Sequence, residues 1–198
     1  MTQITLNNVV LGSSLIDHVL EKYSIQISVE IDQSCPHCGP QSVESVEHRF
    51  YSCPLAQQVW RYAANIVWQL FAKKRHLGPR KSFSMLQCLF DQPLCKTLKR
   101  FNRIWFFLRS GLPWIIWRQR NDLIFNKLQW PIEKTCQIIW DALQDYGRIE
   151  WKRTLRDLEK APDVAYHDIL DKFDLIWGVK GLIMTRSNLV VTWKDSLK

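Results

Sequence analysis

Three cysteines and one histidine are grouped in the order Cys35, Cys38, His48, Cys53, a spacing of C-x2-C-x9-H-x4-C. Three soft sulfur ligands and one imidazole are the donor set that closes a tetrahedral zinc site. The two-residue gap lets Cys35 and Cys38 bind from one tight turn. Within C-P-H-C-G, Pro36 stiffens that turn, and Gly39 can take a positive φ so that backbone N–H groups curl toward the sulfurs. His37 is strained as a co-ligand from inside the turn and is expected at the surface. His48 and Cys53 are expected on a turn or short helix. Cys53 directly precedes a helix predicted from Pro54, whose N-terminus favours a thiolate.

Two other readings of the cluster stay open at this point. Cys38 and Cys53 can be buried apolar thiols, or Cys35 and Cys38 a redox pair. The redox reading wants C-x-x-C at a helix start in a βαβ setting, and Asp32-Gln33-Ser34 supplies no preceding buried strand. If Zn2+ binds, all four positions are filled by protein. No open position then remains to activate water, so the metal is expected to be structural.

The elements that must carry these residues are mostly helical. A short helix is predicted near Ser13 or Ser14, with Leu15, Val19, Leu20 and Tyr23 as its apolar stripe. Pro54 suits a first helical turn, and Val59, Ala63, Ile66, Val67 and Leu70 predict a helix to about Ala72. Residues 73–96 hold Gly78, Pro79 and Pro93 and read as a connection with one short helix around Phe83 to Phe90. The next helix runs from about Leu98 through Phe101, Ile104, Trp105 and Leu108. Gly111 and Pro113 are expected to kink or break it before Trp114 restarts the pattern, and Asn121 to cap or turn the chain.

Pro131 then opens a long amphipathic helix, weakened at Gly147 and ended by Pro162. A last helix covers Val164 to Ile176. Leu182 to Met184 and Leu189 to Trp193 flank Arg186-Ser187-Asn188 as a small hairpin. The predicted class is mainly α: a small Cys3His zinc-knuckle module with flanking helices, a helical region and a short C-terminal β-hairpin. The corresponding units are a zinc-binding module over 1–75, a basic connection over 76–96, a helical region over 97–162 and a C-terminal helix and hairpin over 163–198.

Charge is spread unevenly along the chain. Of 198 residues, 27 are basic and 19 acidic, yet residues 73–127 alone hold 13 basic and two acidic side chains, net +11. Residues 1–72 carry net −3, and 128–198 are neutral. A concentrated positive field favours polyanions, and RNA or DNA is the commonest one inside cells. The candidate contacts are Lys73, Lys74, Arg75, Arg80, Lys81, Lys99, Arg100, Arg103, Arg118 and Arg120. A solvated, merely solubilising face is the alternative reading. Trp105 with Arg109, and Trp114 with Arg118, stand at helical i,i+4 spacing, which would place each guanidinium near an indole. The indoles are otherwise dense enough to be mostly core.

The composition, 46% apolar with seven Gly and eight Pro, excludes disordered and collagen-like chains. The most apolar run, Ile104 to Trp117, is too short and too charged to cross a bilayer, so no membrane is expected. The N-terminus lacks a basic n-region, and Asp17 interrupts its apolar stretch. An intracellular protein with six thiols or metal ligands is expected rather than a disulfide framework.

C-P-H-C-G, then Glu44 to His48 (E-S-V-E-H), then Phe50 to Pro54 (F-Y-S-C-P), then Ala56 to Trp60 (A-Q-Q-V-W) resembles the zinc-binding domain that follows the reverse transcriptase in plant LINE-type (non-LTR) retrotransposons. The resemblance covers about residues 9–72. A second stretch, Trp114 to Phe125, resembles the W-x-x-W-x-x-R-N-x-x-x-F segment downstream of that domain. Two departures are visible: Leu11-Gly12-Ser13 stands where the family has a Leu-Pro-Thr-like turn, and Arg49 replaces the apolar residue after the ligand histidine. The resemblance implies a retroelement-derived fragment or domesticated piece; the alternative reading is a scaffold in which Ile104 to Trp117 and the helix after Pro131 pack against a reverse transcriptase or other protein chain.

The parent polyproteins are enzymes, but no two Asp are adjacent here, as a polymerase Tyr-x-Asp-Asp turn requires. The C-terminal hairpin holds no carboxylates of the kind RNase H uses, and no nucleophile elbow, P-loop or dinucleotide fingerprint occurs. The sequence therefore predicts a non-catalytic zinc-binding module that contacts RNA or DNA through its basic centre. A helical protein-interaction scaffold and an inert retroelement remnant are the alternatives.

Overall fold

A computed structural model describes residues 34–71 and 82–196. The predicted helix near Ser13 and the candidate contacts Lys73, Lys74, Arg75, Arg80 and Lys81 lie outside the described residues. Pro54 opens α1 (Pro54–Phe71), as its fixed φ and missing N–H suit. The spacing of Ala56, Val59, Trp60, Ala63, Ile66, Val67 and Leu70 puts one buried face on that helix. A capping box follows at Ser84, whose hydroxyl accepts from the Gln87 N–H while the Gln87 side chain takes the Ser84 N–H. It starts the one-turn α2 (Met85–Leu89) within the predicted 83–90 stretch.

Of the expected kink or break at Gly111 and Pro113, the break does not occur. A 3-10 turn, Lys96–Phe101, leads into α3, which is continuous over Asn102–Asn126 with Pro113 inside it. Ile104, Trp105, Leu108, Leu112, Ile115, Ile116 and Gln119 keep their 3–4 spacing across the proline and are all buried. An internal proline costs a helix about 3 kcal/mol. Burying Leu112, Ile115 and Ile116 returns about 1.5–3 kcal/mol each, so the tertiary term outweighs the local one. Asn121 does not turn the chain either. The helix ends five residues later, at Asn126, and the following Lys127 takes a left-handed φ of 52°.

Pro131 precedes α4 (Ile132–Lys160), and Pro162 separates it from α5 (Asp163–Trp177). Helices α1, α3 and α4 pack against one another and α5 packs on α4. Ile66, Leu70, Ile104, Leu112, Ile139, Trp140 and Leu143 are fully buried among them. Buried residues from Cys35 to Met184 form one apolar cluster, so the helices on either side of residues 73–96 share a core. Among the described residues no helix is long and apolar enough to cross a membrane.

Two small antiparallel hairpins flank the helices. The first, β1 (Ser34–Cys35) with β2 (Gly39–Val43), was not anticipated, because two residues cannot display an alternation. The second, β3 (Met184–Ser187) with β4 (Val190–Trp193), stands where a hairpin was expected but turns at Asn188-Leu189. Arg186 and Ser187 belong to the strand, paired with Val191 and Val190, and the Arg186 guanidinium is held by Asp174 of α5. Asn188 takes the left-handed φ of 54° that the two-residue turn requires.

Gly147, expected to weaken α4, serves as a seat for this hairpin. A Cβ there would stand 2.5 Å from the Trp193 ring and 2.9 Å from that of Trp177. The Trp140 indole N–H donates to the Lys194 carbonyl at 2.7 Å and locks the hairpin's end to the same helix.

Candidate metal centre

The first hairpin exists to present Cys35 and Cys38. Cys35 pairs with Gly39 across it, and Gly39 adopts a φ of 88°, the positive value expected of it. On the other side, His48–Ser52 form one π-type turn in which the Cys53 N–H donates to the His48 carbonyl at 2.7 Å. This wide turn brings His48 next to Cys53, immediately before α1. Trp60 of α1 donates its indole N–H to the Phe50 carbonyl at 2.7 Å, and Gln57 donates to the Tyr51 carbonyl at 2.7 Å. The tyrosine hydroxyl itself donates to the Phe83 carbonyl at 3.0 Å. The ligand-bearing turn is thereby fixed to the helix that follows it.

Cys35, Cys38, His48 and Cys53 place one donor atom each within 4.8 Å of one another, so the four residues can hold a metal ion. The Cys53 Sγ lies 4.0 Å from that of Cys35 and 3.8 Å from that of Cys38. Sulfurs bound tetrahedrally at ~2.3 Å from a zinc ion stand about 3.8 Å apart, whereas a disulfide needs ~2.05 Å. All six cysteines are free thiols. The His48 Nε2 is buried with no hydrogen-bond partner, a costly state for an imidazole unless it ligates a cation. His37 is exposed and outside the cluster.

Burial disfavours ionised sulfur at this cluster. Burial first, then hydrogen bonds and charge from Cys35 and Cys53, push the Cys38 thiol up to about 12. Burial also raises Cys53. The N–H groups of Leu55 and Ala56 at the start of α1 act in the opposite sense, as expected of a helix N-terminus, but do not prevail. A bound divalent cation would offset the charge of the sulfurs that ionise to ligate it.

A carboxylate ties the metal hairpin to the helical body. Glu44, in the loop between Cys38 and His48, accepts from the Arg120 Nε at 2.9 Å and Nη2 at 2.6 Å, and from the Arg49 Nη2 at 3.0 Å. Its side chain is 5% exposed. Burial alone would raise its carboxyl, but the hydrogen bonds from Arg120 and Arg49 hold it below the usual range. Arg49, which departs from the apolar residue of the resembling family, therefore has a partner. Arg120 reaches across 76 residues of chain, and its remaining Nη1 faces the Asn121 side chain at 3.4 Å. Sequence reasoning placed Glu44 and Arg120 in two separate motifs and missed that they meet. A shared crevice between hairpin and α3 is lined by Cys35, Glu44, Arg49, Ile116 and Arg120.

The described candidates for nucleic-acid contact differ in their surroundings. Lys99 and Arg100 are exposed beside the start of α3, with Arg100 over the Phe101 ring at 4.5 Å. Arg103 pairs with the buried Glu150 at 2.7 Å, and Arg120 spends its donors on Glu44. The expected pairings of Arg109 with Trp105 and of Arg118 with Trp114 do not form. Trp105 is turned into the core, where its N–H donates to the Gln87 carbonyl, and Arg109 lies over Phe106 at 4.9 Å. Arg118 lies over Trp130 at 5.2 Å. Comparison of the chain with protein-family models, with curated proteins and with solved structures finds no match.

Proposed function

We propose that this chain is a non-catalytic zinc-binding module derived from a retrotransposon polyprotein, in which a structural Zn2+ fixes the N-terminal hairpin and the basic centre contacts RNA or DNA. The observation that carries the metal reading is the convergence of three Sγ atoms and one His48 ring nitrogen within 4.8 Å, with Cys53 Sγ 4.0 and 3.8 Å from the other two sulfurs. Three thiolates select a soft or borderline ion, and zinc is the one that takes Cys3His without redox chemistry.

The bound ion supplies a cross-link, worth roughly 10–16 kcal/mol in small zinc-finger peptides. The protein's own residues do the rest. The π-type turn and α1 orient His48 and Cys53, Gly39 lets the first turn close, and Glu44 holds the loop against α3. Four protein ligands leave no position for a reacting water, which supports a structural and not a catalytic role.

Nucleic-acid contact is supported by the +11 charge of residues 73–127. Of its described members, Lys99 and Arg100 are exposed, and no carboxylate partner is found for either among the described residues. The test is a titration of the zinc-loaded chain with labelled RNA at increasing salt. With about three phosphate contacts, affinity falls at least about tenfold between ~50 and ~200 mM salt. Affinity that hardly changes over that range contradicts phosphate contacts.

A further inference from the structure

Trp114 is the one exposed indole of the ten in this chain. The other tryptophans are buried or half-buried, while 46% of Trp114 faces water on the outer side of α3, a helix whose inner side already supplies the core. Trp114 is stacked on the half-buried Trp117, with ring centroids 4.8 Å apart and planes inclined by 21°. The exposed part of the ring is apolar surface that the core does not cover. Phe106, two turns earlier on α3, is also exposed, as is Phe125, three turns later.

Charge decides what fits this face. Arg118, one turn beyond Trp114, and Lys134 of α4 both sit over the Trp130 ring, at 5.2 and 4.4 Å, and both are exposed. Neither has a carboxylate partner among the described residues. Of the two acidic residues of the 73–127 stretch, one is held by another arginine and the other lies beside the same Trp130 ring. Asp91 pairs with Arg109, and Asp122 accepts from the Trp130 indole at 2.7 Å and from Asn126 at 2.9 Å. The face thus joins an open aromatic stack to two exposed cations, neither in direct contact with a carboxylate among the described residues. A flat, anionic ligand complements both features, and unpaired nucleotides offer a π-face and a phosphate at every step.

We propose that the Trp114–Trp117 stack, flanked by Arg118 and Lys134, is a binding site for single-stranded nucleic acid, with an unpaired base on Trp114 and phosphates near the two cations. The proposal rests on the nucleic-acid reading above and sharpens it, because a duplex keeps its base faces hidden and cannot use the stack.

Fluorescence anisotropy of the full zinc-loaded chain, with a labelled RNA single strand of about 12 nucleotides and its duplex, tests this. Trp114→Ala weakens single-strand binding about 5- to 100-fold and leaves duplex binding within about twofold. Trp114→Phe restores most of the loss. Arg118→Ala with Lys134→Ala weakens both forms and flattens the salt dependence. Circular dichroism melting of each variant checks that the fold is kept, as the exposure of Trp114 leads us to expect. If the wild type binds RNA and Trp114→Ala binds the single strand equally well, the stacking site is wrong and the nucleic-acid reading stands. If the wild type binds neither form, the nucleic-acid reading fails and the stacking site falls with it.

Discussion

The hairpins at the two ends of the described chain are of similar size and are held in opposite ways. In the first, β1 and β2 contribute a single buried side chain, Cys35, while Pro40 and Val43 face water. Its position depends on polar and ligand contacts: the Cys3His cluster and the Glu44 carboxylate on Arg120. In the second, Met184 is fully buried and Trp193 lies against Gly147 and Trp177. The difference teaches that a short strand pair needs an anchor outside its own ladder, and that on the proposed reading a metal held by the Cys3His cluster stands in where apolar side chains are missing.

The largest effect that can break this comparison is removal of the metal. Chelation, or Cys53→Ser, should cost the first hairpin most of the roughly 10–16 kcal/mol that a structural zinc contributes in small peptides. Hydrogen exchange should then show the amides of 34–43 unprotected while those of 184–193 remain protected. Equal loss at both ends would mean that the hairpins are not independently anchored.

The converse variant is Gly147→Ala. The new methyl meets Trp193 at 2.5 Å and Trp177 at 2.9 Å, so the hairpin must shift, at a cost of about 2–3 kcal/mol in denaturant unfolding. Metal content should be unchanged.

Glu44→Gln is expected to cost about 1–2 kcal/mol, since it removes charge-assisted hydrogen bonds to two arginines that remain partly exposed. The sign of its pH dependence follows from the lowered carboxyl. A carboxylate whose folded pKa lies below its unfolded value stabilises above the ordinary carboxylate range and loses that contribution as pH falls through the folded value. The advantage of wild type over Glu44→Gln should therefore be full at neutral pH and shrink on acidification. An advantage that grows on acidification would contradict the assignment. A double-mutant cycle with Arg120→Gln should show coupling between the two motifs.

The smallest effect is expected at Asp174→Asn. It loosens the Arg186 contact on a partly exposed surface and should cost less than about 1 kcal/mol by thermal melting.

Much of this architecture can be read from local chemistry. The apolar spacing of α1, the prolines at 54, 131 and 162, the Cys3His cluster and the positive φ of Gly39 each follow from residues close in sequence. The parts that could not be read depend on distant partners. Pro113 and Gly111 look like breakers until Leu112, Ile115 and Ile116 are seen to bury against other helices. Arg120 looks like a free cation until Glu44 is placed beside it. Trp105 and Trp114 look alike in sequence, and only packing separates the core indole from the exposed one.

Native mass spectrometry of the full chain after zinc-supplemented expression tests the central claim most directly. The account predicts one zinc ion per chain, lost in Cys53→Ser and retained in Gly147→Ala. A wild-type chain that folds and carries no zinc would contradict it.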